Sequence, residues 1–598
     1  YNDYGLLTEE KVEGKGKTSY TYNGYQLTEI KDVLGHTTET VYDAAGRLTD
    51  VTDALGNLTH TTYDARGAVT GLSQTDAATG KMTQCSYSYD SVGNLISYTD
   101  GNGYTTTYEY DINDQLIAEN YPDGTRTECV RDGEGNILSI TYSDTIQGSS
   151  MEEAVYDAAG NLTELKNVYG YTTTYQYGSL GRLESVLQPN GGKITYTYDG
   201  HGLLTGQTDA RGNTTTFAYD SAGRLIGITD TLGVICRVEY DSYGQIISIE
   251  DGTGSRTTLT YDVYGQVIRS EDAAGNLTTY EYDIAGNRIR QTNALGAVTE
   301  YEYDSAGQVV TVRKLGQKKD KLETNYTYDA FGNIISITDG EGNTYQISYD
   351  KNGNPVEYYD AYGRLMQTMR YDCRNQLVET VRADGQVQTS TYDAMGNLLS
   401  SVTRNSSGTA SVLYQYGSNG MLSQVTDPAG DTNSITYDEM GNIVDYTNPN
   451  GGVTSYTYDK NNNILREQVG DDYHLTYTYD ERNQRIRKEN ARGQRTVYEY
   501  DLAGRLVSQK DALGTITYTY DKQGNLTEVT DAAGTIRREY DAIGQITAYT
   551  DTEGNRLTYD YDLYGNVVKL HYADGRTVSY GYDKNGHVTT VTDWAGRI

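Results

Sequence analysis

The sequence predicts an all-β protein built of tandem two-stranded β-hairpin repeats of about 21 residues, joined into one long single-layer sheet. Three observations predict it. The dipeptide Tyr-Asp opens 23 units at one phase, most often 21 residues apart. A second Asp-x-x-Gly cluster falls about half a period later, and the segments between these clusters are rich in Thr, Tyr, Val, Ile and Leu. No apolar stripe of helical period extends over two turns anywhere.

The repeat is the first element. Intact Tyr-Asp pairs run from Asp43 to Asp583, and degenerate versions at Asn23, Asp132, Gly178 and Gly417 fill the gaps, giving 27 units plus partial ends. Insertions fall near 73–80, 143–152, 314–323 and 404–410, with no change of composition that would mark a domain boundary in residues 1–598.

The turn comes next. In Tyr219-Asp220-Ser-Ala-Gly223-Arg-Leu225, Asp at the first position and Gly at the fourth form the signature of a type I turn followed by a left-handed residue that closes a bulged hairpin. The Asp side chain accepts bonds from backbone N–H groups inside the turn. The pairs Asp43 and Gly46, Asp220 and Gly223, Asp241 and Gly244, and Asp304 and Gly307 are its structural residues. From Asp43 onward, 22 of 26 units carry Gly at that place, and the four exceptions are Asp114, Asn375, Asn462 and Asn483. Asn and Asp are the side chains that best tolerate positive φ. Mere smallness would have admitted Ala or Ser, so the position needs a left-handed backbone.

Segments such as Lys193 to Tyr198 and Arg224 to Thr229 have the composition and length of strands. Alternation puts Tyr196 and Tyr198 on one face and Thr195 and Thr197 on the other. Tyr42, Tyr219 and Tyr240 are the matching aromatics of their units. By the same parity Arg224, Ile226 and Ile228 oppose Leu225, Gly227 and Thr229, so both faces read as mixtures of apolar and polar groups. Two strands per unit give roughly 54 strands, or some 260 Å of ribbon about 20 Å wide. Long sheets twist and curl, so the ribbon is expected to roll into a spiral around a water-filled lumen, a hollow shell or barrel-like tube.

Composition agrees. Tyr supplies 61 residues against 2 Phe and 1 Trp, a bias suited to half-wetted faces where a ring packs and a hydroxyl finds a partner. A formal charge of −35 disfavours nucleic acids and anionic membranes as partners. No apolar run approaches a membrane span. The chain begins and ends inside repeats, from which we expect its sorting signals to lie elsewhere. Cys85, Cys129, Cys236 and Cys373 have no CxxC pair and no common phase, and are expected to be free thiols.

No motif carries catalysis. The six His residues form no i, i+4 pair, and there is no Gly-x-Ser-x-Gly elbow and no phosphate-binding loop. One Asp per turn, already engaged by backbone N–H groups, does not offer the six to eight converging oxygens calcium needs. Catalytic, cofactor-binding and metal-binding residues are therefore all expected to be absent.

The pattern Tyr-Asp-x-x-Gly-Arg-Leu at Tyr42 to Leu48, Tyr219 to Leu225 and Tyr500 to Leu506 resembles the Rhs/YD-repeat proteins, and the resemblance covers essentially the whole chain. That family includes bacterial polymorphic toxins, cocoon components of insecticidal toxin complexes, and the animal teneurins. The resemblance implies a spiralling sheet forming a hollow shell which, in the toxin branches, encloses a C-terminal effector. The toxins' core motif, Asp-Pro-x-Gly, occurs here only at Asp427 to Gly430, in what reads as an ordinary half-phase turn. The expectation is a non-enzymatic shell segment of a secreted or cell-surface bacterial protein, with a polypeptide cargo as partner. The second reading is an extracellular adhesin or carbohydrate-binding module whose Tyr rows meet a cell-surface glycan or a protein receptor.

Overall fold

Short segments of β-branched residues and Tyr, each cut off by a turn that needs Asp and Gly, leave the chain no choice but hairpin after hairpin. The computed structural model describes residues 1–144, 148–316, 321–417 and 420–598. Among them are 55 strands and no helix. Strands pair antiparallel with their neighbours in sequence, as Lys193–Tyr198 does with Leu183–Leu187 on one side and Leu204–Thr208 on the other. The chain divides into two compact units. One comprises Tyr1–Ser149, Glu281–Gln291 and Val298–Val412; the other comprises Ser150–Tyr280, Thr292–Ala297 and Leu413–Ile598.

The insertions near 73–80 and 404–410 become longer strands rather than loops. Val69–Thr75 faces Met82–Tyr89, and Leu398–Asn405 is followed by the nine-residue strand Gly408–Tyr416. Those near 143–152 and 314–323 lie partly outside the described residues. Where Tyr-Asp units shorten to 20 residues, at Asp501, Asp521 and Asp541, the half-phase loop has lost a residue: Asp511 pairs directly with Gly514, and Asp531 with Gly534.

A bulge beside the Tyr-Asp turns corrects the simple face assignment. In the hairpin Thr214–Tyr219 and Leu225–Asp230, Ala218 pairs with Gly227 but Tyr219 pairs with Leu225, so Ile226 is an extra residue. The extra residue reverses the alternation. Leu225 therefore shares the face of Tyr219, Phe217 and Ile228, while Gly227 lies on the opposite one with Ala218 and Thr216. The next hairpin sorts likewise: Val238, Tyr240, Ile246 and Ile249 face one side, and Arg237, Glu239, Ser248 and Glu250 the other. Parity alone made both faces mixtures; with the bulge, one is aromatic and aliphatic and the other polar and charged.

The apolar face is nevertheless not a closed core, because no large side chain among the described residues is fully buried. The deepest side chains are small ones on the polar face, beneath ion pairs. Ala118 and Ala548 are each 2% exposed. Ala118 is flanked by Glu109 and Glu128, and Ala548 by Glu539 and Thr558. Arg126 reaches Glu109 at 2.6 Å and Arg556 reaches Glu539 at 2.6 Å, each across the small residue. Ser248 lies in the same way between Glu239 and Thr258, with Arg256 bonded to Glu239. Arg126 and Asn120 hold the Glu109 carboxyl down at about 2.

The Tyr of the Tyr-Asp pair also has a hydrogen-bonding role. Pairing between Leu204–Thr208 and Thr214–Tyr219 stops at Gly206 and Thr216, leaving the Leu204 carbonyl beyond the ladder. The Tyr219 hydroxyl donates to it at 2.9 Å. Tyr198 does the same to Leu183, Tyr240 to Leu225 and Tyr261 to Ile246, at 2.7–2.9 Å. Phe would pack the ring and leave the carbonyl unmet. Tyr219→Phe is expected to cost about 1 kcal/mol, the net worth of one such bond. Tyr243→Phe, at an 88% exposed turn tip, should cost nothing measurable. Paired urea titrations read the difference, and equal midpoints would remove this role for the hydroxyl.

Candidate functional site

Two surfaces carry the chain's chemistry: the rows of turns and the apolar face. In the turn at Asp220, the Gly223 N–H donates to the Asp220 carbonyl and the Asp220 N–H to the Arg224 carbonyl, both at 3.0 Å. One carboxylate oxygen accepts the N–H groups of Ala222 and Arg224 at 2.9 and 3.0 Å, and the other accepts Arg224 Nε at 2.7 Å. Asp43 is engaged in the same way by Ala45 and Arg47. Asp241 accepts the N–H groups of Tyr243 and Gln245, and Asp304 those of Ala306 and Gln308. Gly46, Gly223, Gly244 and Gly307 have φ of 82°, 79°, 87° and 80°, and Asn375, Asn462 and Asn483 have 60°, 65° and 62°. With Asp114 they are the positive-φ non-glycines among the described residues. The turn at Asp427 to Gly430 has the same bonds and φ of 89° at Gly430.

The residue after the turn Gly has a role the sequence reading did not assign. Arg224 bridges units: its Nη1 donates to the Asp241 carbonyl at 3.2 Å, and its guanidinium lies 4.7 Å over the Tyr240 ring. Arg47 links Asp43 to the Asp64 carbonyl and covers Tyr63. Where Asn stands instead, as at Asn213 and Asn442, its amide donates to the second oxygen of the turn Asp. The recurrent Arg or Asn after Gly was the available signal. Of the expected aromatics, Tyr198, Tyr219 and Tyr240 cap carbonyls, Tyr42 pairs with Leu48, and Tyr196 stands in mid-strand opposite Gln207.

These bonds hold the Asp220 and Asp43 carboxyls below their ordinary value of 3.8, first through the backbone N–H groups of Arg224 and Arg47. Asp199 is lowered for the same reason, by Leu203. A carboxylate whose folded pKa is depressed stabilises the fold fully above its unfolded pKa and loses that contribution as pH falls through the folded one. Melting followed by circular dichroism should thus show a flat midpoint above about pH 5 and a progressive fall below about pH 4. A midpoint unchanged to about pH 2 would contradict the role of the turn carboxylates.

Among the described residues no group of three or more His, Cys, Asp or Glu stands close enough to hold a metal ion. The four cysteines are unpaired and half-buried, and burial pushes the Cys129 and Cys373 thiols up. No helix among the described residues is long and apolar enough to cross a membrane.

The sequence profile of the Teneurin YD-shell matches residues 56–217, 207–387 and 336–510, well over half of the chain. The chain belongs to the YD-shell family. The RHS Repeat profile matches the remainder of the C-terminal part, at 500–536, 540–577 and 565–598. No match was found among curated proteins. Among solved structures, the crystal structure of TcdB2-TccC3-TEV is 13% identical, with 98% of this chain and 44% of that chain covered at a TM-score of 0.54, and shares the fold. The Tc holotoxin pore of Photorhabdus luminescens, carrying TccC3-D651A, is 14% identical over 99% of this chain and 43% of that one, at a TM-score of 0.45. This YD-shell chain spans less than half the length of these two structures.

Proposed function

We propose that this YD-shell chain is a non-catalytic wall segment that encloses a polypeptide cargo, within a secreted or surface-delivered bacterial protein. The observation that supports the reading is the sheet's division into an apolar, tyrosine-lined face and a charged one, with no closed core under either. A single-layer sheet with one open apolar face can line a space that accepts non-native polypeptide, whose own apolar groups need cover. The charged face suits solvent, and the formal charge of −35 keeps it soluble. The turn carboxylates are occupied by backbone and Arg or Asn donors, which supports a structural role for them.

The test is protease protection. An unstructured polypeptide fused after Ile598 should resist trypsin under conditions that digest the same polypeptide in free form. Digestion at equal rates, together with specific binding on a glycan array, would replace the container with the adhesin reading.

A further inference from the structure

Along the chain, neighbouring strands are joined by main-chain ladders. Within each unit, however, turns about 250 residues apart in sequence also meet, and there the bonds are of another kind. In the second unit, Asn461 Nδ2 donates to Asp209 Oδ2 at 2.5 Å, Arg482 Nε to Asp230 Oδ2 at 2.5 Å, and Gln523 Nε2 to Asp272 Oδ2 at 2.5 Å. Arg211 returns the contact, donating to the Asp480 and Tyr479 carbonyls at 2.8 and 3.1 Å. The first unit repeats the scheme: Asn352 Nδ2 donates to Asp100 Oδ2 at 2.7 Å, and Arg374 Nε lies 3.0 Å from Asp123 Oδ2. The Ala330 N–H donates to Asp76 Oδ2 at 2.9 Å, and Asp76 is 4% exposed.

The regularity lies in the positions. Asn352, Arg374, Asn461, Arg482 and Gln523 are each the second residue after the Asp position of a Tyr-Asp turn, and each meets a carboxylate of a half-phase turn 251 or 252 residues earlier. Every bond named in this seam has a side chain on at least one side. A ladder must break main-chain bonds to open, whereas these contacts part by releasing side chains.

We infer that the seam is a latch: it opens as a unit while the hairpins on both sides stay folded, and the donor two residues after the turn Asp is its key. A seam joined through side-chain bonds, with no main-chain ladder across it, opens at lower free energy than the ladders around it. The use of such an opening, to pass a polypeptide between stacked turns without unfolding the wall, rests on the container reading above; the opening itself does not.

Hydrogen exchange read by mass spectrometry on the intact chain, over a series of sub-denaturing urea concentrations, tests it. The seam amide of Ala330 should exchange through an opening with little urea dependence. The ladder amides of the adjoining strand Lys321–Tyr328 should exchange only through an opening with a steep one. Asn352→Ala combined with Arg374→Ala should speed exchange at Ala330 at least tenfold and leave the ladder amides unchanged. Seam and ladder amides exchanging together with one urea dependence, or the variant speeding both alike, would overturn the latch. The assay needs no cargo, so its failure leaves enclosure standing, and failure of protease protection leaves the latch standing.

Discussion

Asp230→Ala is expected to lower stability by about 3 kcal/mol, the low end of what removing one partner of a buried ion pair costs. Arg482 donates two bonds to Asp230, and the two side chains are only 15% and 8% exposed. Arg482 is already committed in a third direction, to the Leu502 carbonyl at 2.6 Å. Its guanidinium therefore cannot swing freely into water when the carboxylate goes. The substitution also removes the side-chain acceptor of the Leu232 and Gly233 N–H groups, leaving the half-phase turn only its main-chain pairing. Because an unpaired buried charge is the larger part of the penalty, Asp230→Ala with Arg482→Met should recover part of the loss. Urea unfolding of the single and double variants measures both. A double variant as unstable as the sum of its singles would show that the pair does not act as one.

Gly252→Val is expected to cost up to about 3 kcal/mol, the scale of forcing extra volume into a packed contact. A Cβ at Gly252 would stand 2.5 Å from the Val234 carbonyl oxygen, 2.6 Å from the Leu502 carbonyl oxygen and 2.9 Å from Leu502 Cβ. Two of those three atoms are main chain, one in the strand Gly233–Tyr240 and one in the turn after Asp501, so no side-chain rotation relieves the clash. A Cβ at Gly101 would stand 2.5 Å from the Lys351 carbonyl oxygen in the first unit, so Gly101→Val should respond alike. Gly307 is the contrast: its backbone is left-handed at φ of 80°, but nothing lies within 4 Å of an added Cβ. Gly307→Asn should therefore be tolerated, as Asn is at 375, 462 and 483. Thermal melts of the three variants rank them, and a Gly307→Asn loss equal to that of Gly252→Val would refute the distinction between close approach and backbone freedom.

The hairpins were legible because their causes are local. The four positions where Gly gives way to Asn or Asp marked the left-handed residue, and all four have φ of 60–65°. A bulged hairpin was legible in the turn signature, but the place of the extra residue in the strand was not, since nothing in Arg224 to Thr229 separates Ile226 from its neighbours by type. Missing it by one residue moved Leu225 to the wrong face and hid the sheet's two-sidedness. The seam was also missed, because its partners lie about 250 residues apart and no local period reports them. A signal existed. Asn352, Arg374, Asn461, Arg482 and Gln523 place a donor at the second turn position, but Arg66, Asn113 and His201 do so in early units too, and Met395, Met440 and Ile543 interrupt the later ones, so the signal is only partial.

Enclosure is the central claim, and small-angle X-ray scattering of the purified chain addresses it most directly. The account expects a pair-distance distribution skewed to long distances, as scattering mass concentrated in a thin wall around solvent produces. A compact, symmetric distribution, with side chains meeting across the interior, would contradict it.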